Sequence, residues 1–368
     1  MSEKSKVYFA DFRCFPMREN LPQMLARLIM TAGFGSIDMD NKYVAIKMHF
    51  GEPGNQAYLR PNWARVVADL VKDQGGKPFL TDCNTLYVGG RKNALDHIES
   101  AYQNGFNPYN TGCHILIADG LKGSDDVEVP VSGGEYVKTA KIGRAVMDAD
   151  VFVSLTHFKG HEQAGMGGTL KNIGMGCGSR AGKMEMHSSG KPVVKREKCV
   201  GCRACAIICA HGAPQFDRRA RRICAGCGRC LTICPKDAIA ARNDAAPAIL
   251  NKKMAEYSKA IVNGRPCFHI SLVIDVSPHC DCHSENDVPL VPNVGMFASF
   301  DPVALDQACA DAVVAQPALP GSMLFDEACA CNKGDHFKRS HPNSDWNVCL
   351  EHAEKLGLGR RAYKLVRI

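Results

Sequence analysis

Long apolar runs are missing from this sequence; no stretch approaches the roughly 18 residues that a membrane-spanning helix needs. The opening segment, Met1 to Lys6 followed by Val7-Tyr8-Phe9-Ala10, lacks the apolar core and cleavage site of a secretory signal. These two absences lead us to expect a cytoplasmic protein with no membrane span. Aromatic residues are few, at 7%, and none interleaves with the two basic clusters: Lys191, Lys195, Arg196 and Lys198, and then Arg218, Arg219, Arg221 and Arg222. With a net charge of only +7 over 368 residues, this argues against a nucleic-acid partner. No Walker or G-x-G-x-x-G pattern stands in its usual strand-to-helix setting, so nucleotide binding is not expected. Hydrophobic residues at 45% and charged residues at 23% exclude disorder, collagen and coiled coil. The length suggests about two domains.

Cysteine, by contrast, is abundant. There are 19, too dispersed for a small disulfide scaffold. Eight form two copies of one pattern: Cys199-x2-Cys202-x2-Cys205-x3-Cys209, and Cys224-x2-Cys227-x2-Cys230-x3-Cys234 followed by Pro235. This spacing wraps thiolates around a cubane iron–sulfur cluster, with the fourth cysteine of each run ligating the other cluster. One [4Fe–4S] cluster then takes Cys199, Cys202, Cys205 and Cys234; the second takes Cys209, Cys224, Cys227 and Cys230. C-x2-C pairs also hold zinc, but zinc sites rarely need four cysteines at so compact a spacing, or duplicate it. Residues 195–240 resemble bacterial-type ferredoxins. They depart from that pattern at Ala210, where the first run would also end in Cys-Pro.

Outside this stretch the periodicity changes. Short β-rich runs at 6–12, 43–49, 78–82, 114–119 and 151–156 alternate with helical segments at 21–31, 61–74, 91–105 and 136–148. After the cysteine runs, a helix at 246–262, strands at 268–276 and 295–299, and a helix at 303–314 resume the alternation. The fold expected is α/β, a mostly parallel sheet with helices on both faces, interrupted by a small ferredoxin-like α+β insert. The domain limits are 1–194 and 243–368 for the two parts of the α/β domain, and 195–242 for the insert.

Ligands of open α/β sheets bind at the carboxyl ends of strands. Several such ends carry reactive residues here: Lys47 and His49; Thr81 to Thr85; Asp119; His157, Lys159 and His161; Asp275, His279, Cys280, Cys282 and His283. The segment from His157 to His187 holds glycines at 165, 167, 168, 174, 176 and 178, which point to a loop that wraps a cofactor or anion. Ser277-Pro-His279-Cys280-Asp-Cys282-His283 offers soft and borderline donors, and makes Cys280 and Cys282 an additional metal site. A second C-x-C, Cys329-Ala-Cys331, lies near Asp335 and His336. Cys14, Cys83, Cys113, Cys267, Cys309 and Cys349 read as buried thiols.

Taken together, Lys47-Met-His49-Phe-Gly-Glu52, Thr81-Asp-Cys-Asn-Thr85, the His157–Lys171 segment, the cluster ligands, Pro278-His-Cys280-Asp-Cys282 and Asp301-Pro-Val-Ala-Leu-Asp306 resemble a family catalogued only as a domain of unknown function. Its members carry a two-cluster ferredoxin insert, which implies iron–sulfur binding and a redox role. His161, Lys171 and His187, with Gly167-Gly168 ahead of the lysine, are also similar to a segment of the lactate racemase family. There the lysine tethers a nickel-pincer nucleotide, the last histidine ligates nickel and the first serves acid–base chemistry. Arg60-Pro61 resembles a substrate-side Arg-Pro of that family, whereas Cys83, Asn84 and Thr85 stand where it places another catalytic histidine. The resemblance therefore gives His161, Lys171 and His187 as catalytic residues, and Lys171 with Gly167 and Gly168 as the cofactor cradle; His49, at the end of the second strand, joins the catalytic set by its place at the cleft.

The function expected is that of an anaerobic iron–sulfur protein, a ferredoxin-linked oxidoreductase. Its two [4Fe–4S] clusters relay electrons between a soluble redox partner protein and a second site in the cleft. That site acts on a small-molecule substrate and has room for an additional metal or organic cofactor. Two rivals stand beside it: a non-catalytic electron-transfer adaptor docking to a partner enzyme, and a racemase-like or metal-cofactor protein with structural clusters.

Overall fold

The computed structural model describes residues 4–85, 89–187, 192–209, 213, 230, 234–236, 238–241, 246–325 and 334–368. The first half runs β1 (Ser5–Ala10), α1 (Leu21–Thr31), β2 (Tyr43–Lys47), α2 (Pro61–Asp73), β3 (Lys77–Asp82), α3 (Ala94–Gln103), the single turn α4 (Pro108–Thr111) and β4 (His114–Ile117). It continues with β5 (Asp126–Pro130), β6 (Thr139–Gly143), α5 (Arg144–Asp148), β7 (Val151–His157), β8 (Lys159–His161), β9 (Gly165–Gly167), α6 (Thr169–Cys177) and α7 (Arg180–His187). Then come β10 (Pro192–Val194), α8 (Ala204–Ile207), β11 (Ile239–Ala241), α9 (Ala246–Val262), β12 (Cys267–Val273), β13 (Gly295–Ser299), α10 (Pro302–Val314), α11 (His336–Ser340), α12 (Asn347–Lys355) and β14 (Tyr363–Arg367).

Eight strands form one sheet in the order β14-β1-β13-β12-β7-β2-β3-β4. Strand β13 runs antiparallel to both neighbours, and the other pairs are parallel. The period-2 alternation of side chains sorts each strand between two cores. On one face Val44, Ile46, Val153, Leu155, Phe268 and Ile270 pack with Leu25 and Leu28 of α1 and with Trp63 and Val67 of α2. On the other, Ala45, Phe152 and Phe297 meet Leu170 of α6, Met254 and Tyr257 of α9, and Val303 of α10. Each such leucine or phenylalanine removed from water contributes about 1.5–3 kcal/mol. The expected mostly parallel sheet with helices on both faces is therefore what the chain builds. No helix among the described residues is long and apolar enough to cross a membrane.

Two local expectations are corrected. Residues 136–148 do not form one helix: Thr139–Gly143 is β6, paired antiparallel with β5, and only 144–148 turn helical. Ala140 and Ile142 alternate inward on this hairpin, so strand periodicity and the β-branched Thr139 and Ile142 prevail. The glycine-rich stretch after His157 is likewise not a wrapping loop. It folds into the β8–β9 hairpin and then helix α6, and of its glycines Gly165 alone has a left-handed φ, at 83°. Gly174 and Gly176 sit inside α6 because a side chain there would strike the Met254 carbonyl of α9 and the Lys47 ammonium, respectively.

The hairpin and the helices behind it are tied together by one buried carboxylate. Glu256 on α9 accepts the backbone N–H groups of Glu135, Tyr136 and Val137 at 2.6, 3.1 and 2.6 Å, and lies 2.9 Å from His352 Nε2 on α12. Removing it strands three amide donors and a histidine. Glu256→Ala is expected to lower unfolding stability by about 3–5 kcal/mol, read as a shift of the urea midpoint. A second expectation concerns His269 of β12, whose Nδ1 lies 2.9 Å from Ser154 Oγ on β7. Burial pulls its pKa down to about 3. The unfolded chain takes up this proton near pH 6.5 and the folded chain refuses it, so stability falls as pH drops from 6.5 toward 3. His269→Asn removes a slope approaching about 1.4 kcal/mol per pH unit from that window, measurable by urea titrations at pH 7.5, 6 and 5.

Candidate functional site

Because β12, β7, β2 and β3 are neighbours and mutually parallel, their carboxyl ends share one edge of the sheet. Lys47 ends β2 and Asp82 ends β3, and their charged atoms meet at 3.1 Å with both side chains buried. Arg91 Nη1 stands 3.7 Å from the other Asp82 oxygen and His97 Nε2 3.8 Å, while Arg91 Nε holds Glu52 at 2.8 Å. Burial alone would raise the Asp82 pKa, but the Lys47 charge and its neighbours outweigh it and hold the carboxyl well below the usual range. His97, buried beside these cations, is pulled down to about 3 and stays neutral.

The next strand end repeats the arrangement. His157 Nδ1 lies 2.9 Å from Asp281 and its Nε2 2.7 Å from the Ile274 carbonyl, so both ring nitrogens face acceptors. Lys159 Nζ reaches the same Asp281 oxygen at 3.0 Å. Asp281 is held low despite complete burial, because His157 and Lys159 outweigh the desolvation. This network fixes the turn that follows β12 and so aims Cys280, Cys282 and His283.

Helix α6 brings the third component. Its first two amides are capped from outside by the buried Asp306 of α10, at 2.6 Å to Thr169 N and 2.9 Å to Leu170 N. Burial nonetheless pushes Asp306 up to about 6. Gly168 lies so close to this carboxylate that no side chain fits there. At the other end Lys183 of α7 donates to the Gly178 and Gly176 carbonyls at 2.7 and 3.3 Å. Held this way, α6 places Asn172 2.8 Å from Lys47 Nζ, and Lys171 Nζ 2.8 Å from Cys280 Sγ.

The two cysteines of the C-x-C turn differ in state. Cys280 is held well below the usual thiol range, chiefly by a hydrogen bond from Cys282, then by the Lys171 charge and a hydrogen bond from His161. Cys282, donating to that thiolate, is pushed well up. Burial alone would lower Lys171, but the Cys280 charge outweighs it and keeps the ammonium. His161 Nδ1 accepts the amides of Gln163 and Ala164, both at 3.1 Å, which leaves Nε2 to carry the proton toward Cys280. His187 is pulled down to about 3 by burial, then by His161 and Lys171, and its buried Nδ1 has no hydrogen-bond partner among the described residues.

These groups surround a cavity of about 110 Å³. His49, His161, Lys171, His187, Gly168 and Cys282 line it, and Met175, Leu250 and Met254 close one side. Cys280 sits behind it on Lys171, and Gly167 lies against the Lys159 stem. Other residues singled out by sequence go elsewhere. Asp119 binds the amide and side chain of Asn84. Arg60 is exposed at the start of α2, and Asp335 and His336 are taken up in capping α11 and bonding the Gln316 carbonyl. Cys329 and Cys331 lie outside the described residues. Arg91 and His97 belong to the site without any sequence signal, since Glu52 and Asp82 come from other segments; Glu162 and Lys183 lie within the His157–His187 segment but carry no signal of their own there.

The cysteine-rich stretch has its own geometry. Strands β10 and β11 pair antiparallel, bringing its two ends together, and Lys195 N donates to the Ala238 carbonyl at 2.7 Å. Cys209 Sγ accepts Ala213 N at 3.3 Å and Cys234 Sγ accepts Ala238 N at 3.3 Å, the same four-residue relation in both runs. Burial, then the nearby Cys202 and Cys199, push the Cys205 thiol up.

Comparison with known proteins gives the following. Over 131 residues the chain is 29% identical to the thylakoid-associated protein sll1697 of Synechocystis sp., covering 34% of this chain and 35% of that protein. It thus spans about a third of that relative's length. A crystal structure of a Thermotoga maritima protein overlays with a TM-score of 0.41 at 12% identity, over 80% of this chain and 57% of that one. The lactate racemase apoprotein of Thermoanaerobacterium thermosaccharolyticum overlays at 0.35 and 14% identity, over 70% and 46%. Neither overlay is close enough to carry a residue's role across. The family model described as Domain of unknown function (DUF362) matches residues 44–311, from the second strand of the sheet into α10, and the chain belongs to that family.

Proposed function

We propose that this protein is a ferredoxin-linked oxidoreductase, in which two [4Fe–4S] clusters held by residues 195–242 exchange electrons with a second site in the α/β cleft. The observation that carries the reading is the duplicated C-x2-C-x2-C-x3-C run, together with the amide donated to the last sulfur of each copy. Amide-to-thiolate hydrogen bonds of this kind disperse charge on cluster ligands and tune the potential. Cys199, Cys202, Cys205 and Cys234 would hold one cluster, and Cys209, Cys224, Cys227 and Cys230 the other; Cys224 and Cys227 lie outside the described residues. When bound, the clusters supply single-electron transfer to and from a soluble redox partner.

The cleft residues then supply what electron transfer alone does not. Lys171 is a buried cation placed to stabilise negative charge as it develops on a substrate. His161, with its proton on Nε2, is the group placed to donate a proton alongside each electron. Neutral His187 offers an acceptor at the cavity wall. A cavity of about 110 Å³ has room for several waters or a substrate of a few heavy atoms. The number of ionic groups buried around it favours an enzyme over a docking adaptor, which has no use for a desolvated charged pocket.

Anaerobically purified protein is expected to contain about eight iron and about eight acid-labile sulfide per chain. Cys205→Ala should lose about half of each while the cleft residues are untouched. Zinc in place of iron, with no sulfide, would overturn the cluster assignment.

A further inference from the structure

Cys280 and Cys282 were expected to act as a pair toward one metal. The structure gives them different further partners. Cys280 Sγ takes the Lys171 ammonium, whereas Cys282, which donates to that thiolate, also has its Sγ within a second group. There the donor atoms of Glu162, Cys282 and His283 all lie within 4.8 Å of one another. Glu162 comes from the turn between β8 and β9, and the other two from the turn that Asp281 anchors.

Three features of this group point to a bound cation. First, donors within 4.8 Å of one another lie about 1–1.5 Å at most beyond the roughly 3.3–3.8 Å that a tetrahedral ion with bonds of about 2.0–2.3 Å sets between neighbours. Second, Glu162 Oε2 is buried with no hydrogen-bond donor among the described residues. His161 Nδ1, 3.9 Å away, accepts two amides and gives this oxygen no hydrogen bond. A buried carboxylate oxygen without a donor has lone pairs free for a cation. Third, His283 presents Nε2 to Glu162 at 3.1 Å and turns Nδ1 toward the Glu285 carboxylate at 3.8 Å. Metal-ligating histidines are commonly oriented by a carboxylate on the far nitrogen in this fashion.

We propose that Glu162, Cys282 and His283 form a three-ligand site for one borderline divalent cation of the zinc class, with the fourth coordination position open to the cavity. One oxygen, one sulfur and one nitrogen donor suit such an ion better than magnesium or calcium, which take oxygen, or copper(I), which takes sulfur. All three residues line the cavity wall, so the open position faces the space a substrate would occupy. Three protein ligands and one free position is the arrangement of a Lewis-acid site rather than a structural one. The Lys171 ammonium and the Cys280 thiolate stand beside it. This assignment rests on reading the cavity as the reacting centre, and not on the identity of the clusters.

The test uses the full-length, cluster-loaded protein purified anaerobically, exposed to one equivalent of Zn²⁺ and desalted. Zinc, iron and sulfide are counted together, and the zinc environment is read by X-ray absorption at the zinc edge, where iron does not interfere. About one zinc per chain is expected, with one sulfur neighbour near 2.3 Å and nitrogen or oxygen neighbours at about 2.0–2.2 Å. Glu162→Gln and Cys282→Ser should each drop zinc at least fivefold while iron and sulfide stay at the parent level, which also reports that both variants fold. No retained zinc, an all-sulfur shell, or zinc unchanged in both variants overturns the site. Zinc retained with the mixed shell but without iron and sulfide leaves the site standing and removes the cluster reading instead.

Discussion

A nine-residue helix, α6, is held at both ends by side chains it does not own, and the cleft depends on that arrangement. Asp306 reaches in from α10 to take its first amides, and Lys183 reaches back from α7 to its last carbonyls. A helix this short is marginal by itself, and several of its residues are not good helix formers, Thr169, Gly174 and Gly176 among them. Foreign caps replace what its sequence lacks, and its glycines let it lie against α9 and over Lys47. The result is a lysine fixed within bonding distance of a buried thiolate, and an asparagine that joins α6 to β2.

The same logic explains how much of this could be read from the chain alone. The sheet was legible because burial on two faces imposes strand-length apolar runs, and the helices because their apolar stripes are local. The 246–262 helix and the 295–299 strand fall where the periodicity places them. Residues 136–148 misled because Tyr136 to Asp148 carries apolar residues at both helical and strand spacing; pairing with Asp126–Pro130, a tertiary fact, decides between them. Helix α6 was hidden for a related reason. Its glycines serve packing against partners far along the chain, and by composition they read as a loop.

In the cleft, what sits at a strand end was visible and what answers it was not. Lys47, His49, His161, Lys171, His187 and Cys282 were recognisable as reactive residues at the expected edge. Arg91 and His97, by contrast, are unremarkable in sequence, and acquire meaning only when Asp82 is brought against them. Nor does a C-x-C motif announce that its two sulfurs, hydrogen-bonded to each other, will take different further partners, a lysine for one and Glu162 with His283 for the other. That division comes from the His157–Asp281–Lys159 network, which sets the direction of the turn.

Strand β1 adds a consequence of a different kind. It leaves the ribosome long before its two partners in the sheet, β13 and β14, which lie far downstream. Until they are made, Val7 and Phe9 have nothing to pair with on either side. A strand so placed is a standing invitation to pair with another nascent copy, and its final placement waits on those two strands. The sheet that carries the cleft is therefore completed by β13 and β14, after the parallel strands that position the reactive side chains have already been made.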